Sequence, residues 1–263
     1  SRGTAHKLRL WVPFAASPRR RPLTSNLRPH SSPMAPLGRY VRNEAAFKSD
    51  AYAVLKLHFE SRREFNRYYA AISKSKLNDF LRVCASYRYL AKHGDWKIKV
   101  RGYGPVIDYL TNSYKLVAVF SLIESLSCLG YLDFYQWLTA KIRKQSFPIE
   151  DRSSLDKLYR EYKADYGATR RCATFFSNLP LEEQQRLCGS ISVNKKPTAE
   201  IKKLAEFLYN LRSSFVHKAE FAHELSGLIF VNTRAGMVES KLTVAGILQA
   251  FELGVIEHFR GEA

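Results

Sequence analysis

Arg212 and His217 stand five residues apart in Leu211-Arg212-Ser213-Ser214-Phe215-Val216-His217, and together these two residue types suit phosphate chemistry. A guanidinium keeps its proton at physiological pH and stabilises negative charge that grows on phosphoryl oxygens. An imidazole titrates near ~6.5 in model compounds and can move a proton at neutral pH. Arg212 also sits where a solvated charge does not belong. At ~100° per residue, Ile201, Leu204, Ala205, Leu208, Leu211, Phe215, Val216 and Ala219 form one stripe with Arg212 in its middle. Lys202, Lys203, Glu206, Ser213 and His217 fall on the opposite arc. A core-side arginine needs a partner. Glu124 is the one charge in the apolar run Leu116–Leu129, so the pattern predicts that the two helices pack and that Glu124 meets Arg212. The pair would orient the guanidinium and leave other N–H donors for a phosphate. His217 lies ~140° around an ideal helix from Arg212. Convergence therefore requires a break near Ser213-Ser214 or a second copy of the chain.

The elements that must carry these residues read as mainly α. Ala53–Phe59 alternates, with Leu55, Leu57 and Phe59 against Lys56, His58 and Glu60, and predicts a strand. Ser61-Arg62-Arg63-Glu64 is a capping box opening a helix, and a second helix follows over roughly 77–90. Trp96–Arg101 alternates again and predicts a short strand with a basic face of Lys97, Lys99 and Arg101. Helices are expected over 113–129, 134–144, 154–164, from 181, from about 200 through the Arg212 segment, and over 243–259. Leu228–Val231 and Met237–Leu242 flank Asn232–Gly236 as a hairpin. The fold class expected is a mainly α helical bundle with a short C-terminal β-hairpin, preceded by a small α+β module. The expected division is a basic tail over 1–33, the module over 34–105 and the helical domain over 106–263. No internal repeat is evident.

Composition narrows the partners. The chain has 263 residues, 46% of them hydrophobic, and a formal net charge of +18. Seven of those charges come from the acid-free segment 1–33, so the remainder keeps +11. Such an excess suggests a polyanion, most simply nucleic acid. The Arg-, Ser- and Pro-rich segment fits a transit peptide, a basic arm, or sequence upstream of a natural start at Met34, which is the start favoured. Cys84, Cys128, Cys172 and Cys188 lack zinc or redox spacing and read as reduced, in a cytoplasmic protein. No run is long enough to span a membrane, and no cofactor or metal motif is present. Arg170-Arg171 ahead of Phe175-Phe176 could combine charge with base stacking. Residues read as able to hold RNA phosphates are Lys97, Lys99, Arg101, Arg170, Arg171 and Lys218.

Arg212-x4-His217, with the apolar prelude Phe207–Leu211 and the acid-bearing segment Leu122-Ile123-Glu124-Ser125-Leu126, resembles the HEPN superfamily over roughly Tyr109 to Phe259. The resemblance implies a HEPN-like helical bundle that dimerises. It implies a metal-independent endoribonuclease in which the ribose 2′-OH attacks the adjacent phosphate, giving 2′,3′-cyclic phosphate ends and sparing DNA. Arg212 would stabilise the transition-state charge, His217 would act as general acid or base, Glu124 would orient Arg212, and Ser213 would hydrogen-bond nearby. The expected biology is a toxin or antiviral defence effector, with RNA as substrate and an antitoxin or inhibitory protein as a further partner. Other family members are inactive modules that bind nucleic acid, nucleotide or protein. A basic helical scaffold for an acidic protein is a third reading, in which Arg212–Glu124 is a structural pair and His217 a surface residue. The sequence departs from the family in two places. Ser213 stands where active members often carry Asn, Asp or His, and Lys218-Ala219 replaces the His-x-Tyr extension tied to silencing by adenylylation.

Overall fold

The computed structural model describes residues 41, 43–94, 105–126, 132–140, 145–149, 151–198, 200–233 and 236–260. The first helix, α1, spans Glu44–Leu55 and is started by Asn43, whose side chain accepts from the Ala46 N–H. A 3-10 turn, Lys56–His58, leads to α2 (Arg62–Ala71) and α3 (Lys74–Tyr87), which a π turn extends over Arg88–Lys92. Then come α4 (Pro105–Leu126), α5 (Phe134–Leu138), α6 (Arg152–Tyr166), α7 (Ala168–Ser177) and α8 (Leu181–Gly189). Strands β1 (Ile191–Val193) and β2 (Lys196–Pro197) precede α9 (Ile201–Lys218). A 3-10 turn (His223–Leu225), β3 (Ile229–Thr233), β4 (Gly236–Ser240) and α10 (Val244–Phe259) complete the order. The protein is therefore mainly helical with a small antiparallel sheet, as expected. No helix among the described residues is long and apolar enough to cross a membrane.

Two local expectations change. The strand expected over 53–59 is the end of α1 and its 3-10 extension. The apolar residues that matter there recur at helical spacing: Ala51, Val54 and Leu55 are buried, whereas Leu57 is 76% exposed. Packing of α1 on α3 and the Asn43 cap outweigh a short run of alternation. The segment expected to be helical from 134 to 144 ends earlier, because α5 stops at Leu138 and Thr139 closes it with a turn. The strand expected over 96–101, with Lys97, Lys99 and Arg101, and the segment 1–33 lie outside the described residues.

The hairpin of β3 and β4 stands where it was expected, with Val231 opposite Val238 and Thr233 opposite Gly236. Gly236 has φ +121°, a backbone conformation that costs a side chain and not glycine. The sheet has a second hairpin that periodicity passed over, and its order is β2-β1-β4-β3. Asn194 (φ 51°) and Lys195 (φ 66°) form the two-residue turn between β1 and β2. Positive φ at both positions is the backbone of a type I′ turn, which Asn accepts readily. The Asn194 N–H donates to Met237 O at 2.8 Å, and its Oδ1 accepts from Met237 N at 3.0 Å, tying this turn to β4.

One hydrophobic core joins elements from both ends of the described chain, so helices before and after residue 105 share it. At its centre runs α10, capped by Thr243 and buried almost all round, with Ile247, Leu248, Phe251, Val255, Ile256 and Phe259 inside. It packs against α3, α4 and α7. Gln249 and Glu257 reach the edge of the core, but the helix also carries a charge well inside it, Glu252, 2% exposed. Three donors converge on that carboxylate. Tyr87 Oη donates at 2.5 Å and Lys92 Nζ at 2.6 Å to Oε1, while His58 Nε2 lies 2.8 Å from Oε2. Burial by itself would raise the pKa of Glu252, but the hydrogen bonds from His58, Lys92 and Tyr87 outweigh it and hold the group below its ordinary value.

Replacing Glu252 by Leu should destabilise the protein by about 3 kcal/mol, since Lys92 loses its counter-charge and Tyr87 and His58 lose their hydrogen-bond partner, and the urea midpoint reads this directly. A folded-state pKa below the unfolded value of about 4.5 means that this stabilisation is complete above that pH and disappears as pH falls through the folded value. Glu252→Gln should therefore flatten the acid limb of stability against pH below about 4.5. An unchanged slope would refute this role for the carboxylate.

Candidate functional site

The pair expected between α4 and α9 is present. Arg212 Nη2 lies 3.6 Å from Glu124 Oε1, with the two side chains 17% and 28% exposed. That separation is an ionic contact and not a bidentate fork. The guanidinium lies over the Tyr209 ring at 5.6 Å, and its buried Nε has no hydrogen-bond acceptor among the described residues. Tyr209 is one turn earlier on α9 and packs on Phe120 of α4, which keeps the two helices in register. Beneath them lies Cys172 of α7, fully buried. Its thiol is pushed up to about 12 by burial first and by Glu124 second, with Arg212 and Arg171 pulling the other way. Glu124, Arg171 and Arg212 thus act electrostatically on one buried thiol at the junction of α4, α7 and α9.

His217 does not join this group within one chain. Helix α9 runs unbroken through Ser213 and Ser214 to Lys218 and ends only at Ala219, in the left-handed region (φ 57°), whose N–H donates to Phe215 O and Ser214 O. With no break, Arg212 and His217 keep the ~140° separation of an ideal helix. Arg212 faces α4, whereas His217 and its neighbour Val216 are exposed in the last turn. Val216 and Ala219 therefore leave the stripe that the helical wheel assigned to the core, while Phe215 of the same turn packs edge-on to Tyr114 of α4 at 5.2 Å. Ser213 is half-buried. Lys218 is exposed and pairs loosely with Glu220 at 3.9 Å.

The other arginines singled out, Arg170 and Arg171, sit in the first turn of α7. Arg170 is exposed and donates to Ala164 O, and Arg171 is half-buried, its Nε without an acceptor among the described residues. Both border a cavity of about 300 Å³ floored by Ile123, Leu126 and Phe175. His258 of α10 closes its far side; burial first, and Lys76 second, lower its pKa, against an opposing effect of Asp79. Phe175 and Phe176 are not free to stack on bases. They are 7% and 0% exposed, and Phe175 stacks on Phe251 in the core. The aromatic surface beside these cations comes instead from Tyr159, Tyr162 and Tyr166 of α6. Their i, i+3, i+7 spacing along one helix face is the signal in the sequence that marks them. Among the described residues no group of three or more His, Cys, Asp or Glu side chains is placed to hold a metal ion.

Compared with family models, curated proteins and solved structures, the chain shows no match. The geometry must therefore carry the functional argument alone.

A half-buried ion pair at 3.6 Å should couple its partners by about 1–2 kcal/mol, between the values of exposed and fully buried pairs. A double-mutant cycle of Arg212→Ala and Glu124→Ala, read by chemical denaturation, measures that coupling. Additive single-mutant effects would mean that the two charges do not stabilise each other.

Proposed function

We propose that this protein is a metal-independent, HEPN-type endoribonuclease whose working site is assembled from two copies of the chain. The observation that carries the reading is the division of labour along α9. Glu124 and Tyr209 hold Arg212 near α4, while His217 stands exposed at the end of the same unbroken helix. A single chain separates the two side chains; a twofold axis past the end of α9 would set His217 of one copy against Arg212 of the other. The exposed Val216 beside His217 supplies apolar surface for such a contact.

The chemistry asks little else of the protein. The ribose 2′-OH is the nucleophile, His217 moves a proton, and the Arg212 guanidinium stabilises the phosphoryl oxygens as charge accumulates. Glu124 positions Arg212, and Ser213, half-buried one residue on, supplies a hydroxyl beside it in sequence. The net charge of +18 supports a polyanionic substrate. The biological role that fits is a cytoplasmic toxin or antiviral effector restrained by a partner protein. A second reading, an RNA-binding module without cleavage, is favoured by one observation: Arg170 and Arg171 line their cavity at a helix other than the one that bears His217.

Purified protein should cleave a labelled structured RNA in EDTA and leave 2′,3′-cyclic phosphate ends, and His217→Ala should slow this by about 10²–10⁴-fold without loss of fold. Equal cleavage by both proteins, or by neither, would sink the nuclease reading. Mixing Arg212→Lys with His217→Ala should restore about a quarter of wild-type activity, because half of the dimers are mixed and each has one intact composite site. No recovery in a mixture shown to exchange subunits would refute the two-copy site.

A further inference from the structure

A groove of about 890 Å³ lies between α6, α7 and the start of α9, outside the Arg212–His217 site. Four cations line it, Arg160, Lys163, Arg170 and Lys202, against one lining carboxylate close by, Glu206. Arg160, Lys163, Arg170 and Lys202 are all exposed, so their charge faces solvent instead of being consumed in the core. Helix α7 begins on this groove at Gly167-Ala168, with no side-chain cap.

Aromatic rings accompany the charge. Tyr159, Tyr162 and Tyr166 form a ladder along one face of α6, with ring centroids 6.3 and 5.7 Å apart and planes inclined by 27° and 12°. The ladder is braced from behind. Tyr162 Oη donates to Leu132 O at 2.9 Å, and Phe134 packs edge-on to Tyr159 at 5.3 Å. Lys163 Nζ stands 5.2 Å over the Tyr159 ring. Tyr162 and Tyr166 line the groove, and Tyr159 is 44% exposed at its end. At the opposite side the lining includes Tyr209, the residue over which Arg212 lies.

A row of cations beside a braced aromatic ladder is the surface that a single nucleic-acid strand needs. Phosphates meet the cations, and bases, which all have a π-face, stack on the rings at about 1–3 kcal/mol each. A duplex keeps its bases stacked on each other and cannot use the rings. We infer that this groove binds single-stranded RNA and leads the strand past Tyr209 towards Arg212. The inference deepens the nuclease reading and takes RNA as the strand from it; the groove chemistry itself requires only an unpaired strand.

The test is fluorescence anisotropy of a labelled 15-nucleotide oligouridine at low salt, with the full chain in EDTA. Lys163→Glu combined with Lys202→Glu should weaken binding at least tenfold and reduce the slope of log affinity against log salt. Tyr166→Leu should weaken it by about five- to tenfold at unchanged salt slope, and Tyr166→Phe should restore it, since the ring and not the hydroxyl provides the stack. Thermal melting verifies that each variant is folded. A 15-base-pair RNA duplex should bind more weakly than the single strand. Wild-type affinity in the charge-reversal variant, equal binding of duplex, or displacement of the oligonucleotide by polyglutamate at equal charge would each overturn the groove. His217→Ala separates the two proposals. If it binds as wild type does while cleavage is absent from every protein, the nuclease reading fails and the groove stands. If cleavage survives unchanged in the charge-reversal variant, the groove fails and the nuclease reading stands.

Discussion

The buried carboxylate of Glu252 is the constraint around which the rest of the protein is arranged. Glu252 lies on the buried side of α10, so its carboxylate must find its counter-charge and donors inside the fold. They come from far away in sequence: His58 in a 3-10 turn, Tyr87 at the end of α3 and Lys92 in the π turn that extends it. Satisfying one carboxylate thus locks the N-terminal helices to the C-terminal one. The π turn has a reason in this arrangement, because it carries Lys92 to the carboxylate.

From α10 the order passes to the helices that bear the candidate site. Gly254 permits the close approach of α7, since a Cβ there would run into the Phe175 ring. With Phe175 against Phe251, α7 is placed, and with it the Arg170-Arg171 turn. Helix α4 packs on α10, α7 and α9 together, so Glu124 and Arg212 meet at a junction whose geometry is set by apolar packing. The ion pair is a result of that packing more than its cause.

The two ion clusters are chemically opposite. Around Glu252 both carboxylate oxygens accept short hydrogen bonds, and nothing remains to offer a ligand. At Arg212 the contact is longer, the side chains are 17% and 28% exposed, and the buried Nε has no acceptor among the described residues. A saturated cluster stabilises; a cation held by one long ionic contact is less tightly committed to its partner. Glu252 is thus architecture, whereas α9 and the neighbouring tyrosine-lined groove keep charged and aromatic groups at the surface.

Local chemistry in the sequence determined a good deal. Side-chain caps placed helix starts at Ser61 and Thr243, although Glu64 reaches back to the N–H of Glu60 in place of that of Ser61. The β3–β4 hairpin and the long apolar α4 were legible, and the two stranded charges led to the Glu124–Arg212 pair. The reason is that caps, turns and 3.6-residue periodicity act over a few residues, and that a buried charge constrains its surroundings wherever it lies. Tertiary structure alone decided the rest. It turned the alternating segment 53–59 into the end of a helix, because burial at Ala51, Val54 and Leu55 outweighs a short alternation. It buried Phe175 and Phe176 and left the α6 tyrosines at the surface, a choice that depends on which face α10 covers. It kept α9 straight, so that Arg212 and His217 look in different directions. It also hid Glu252 in a helix where the sequence reading had not looked for a charge, because the donors that make its burial tolerable are 160 or more residues away.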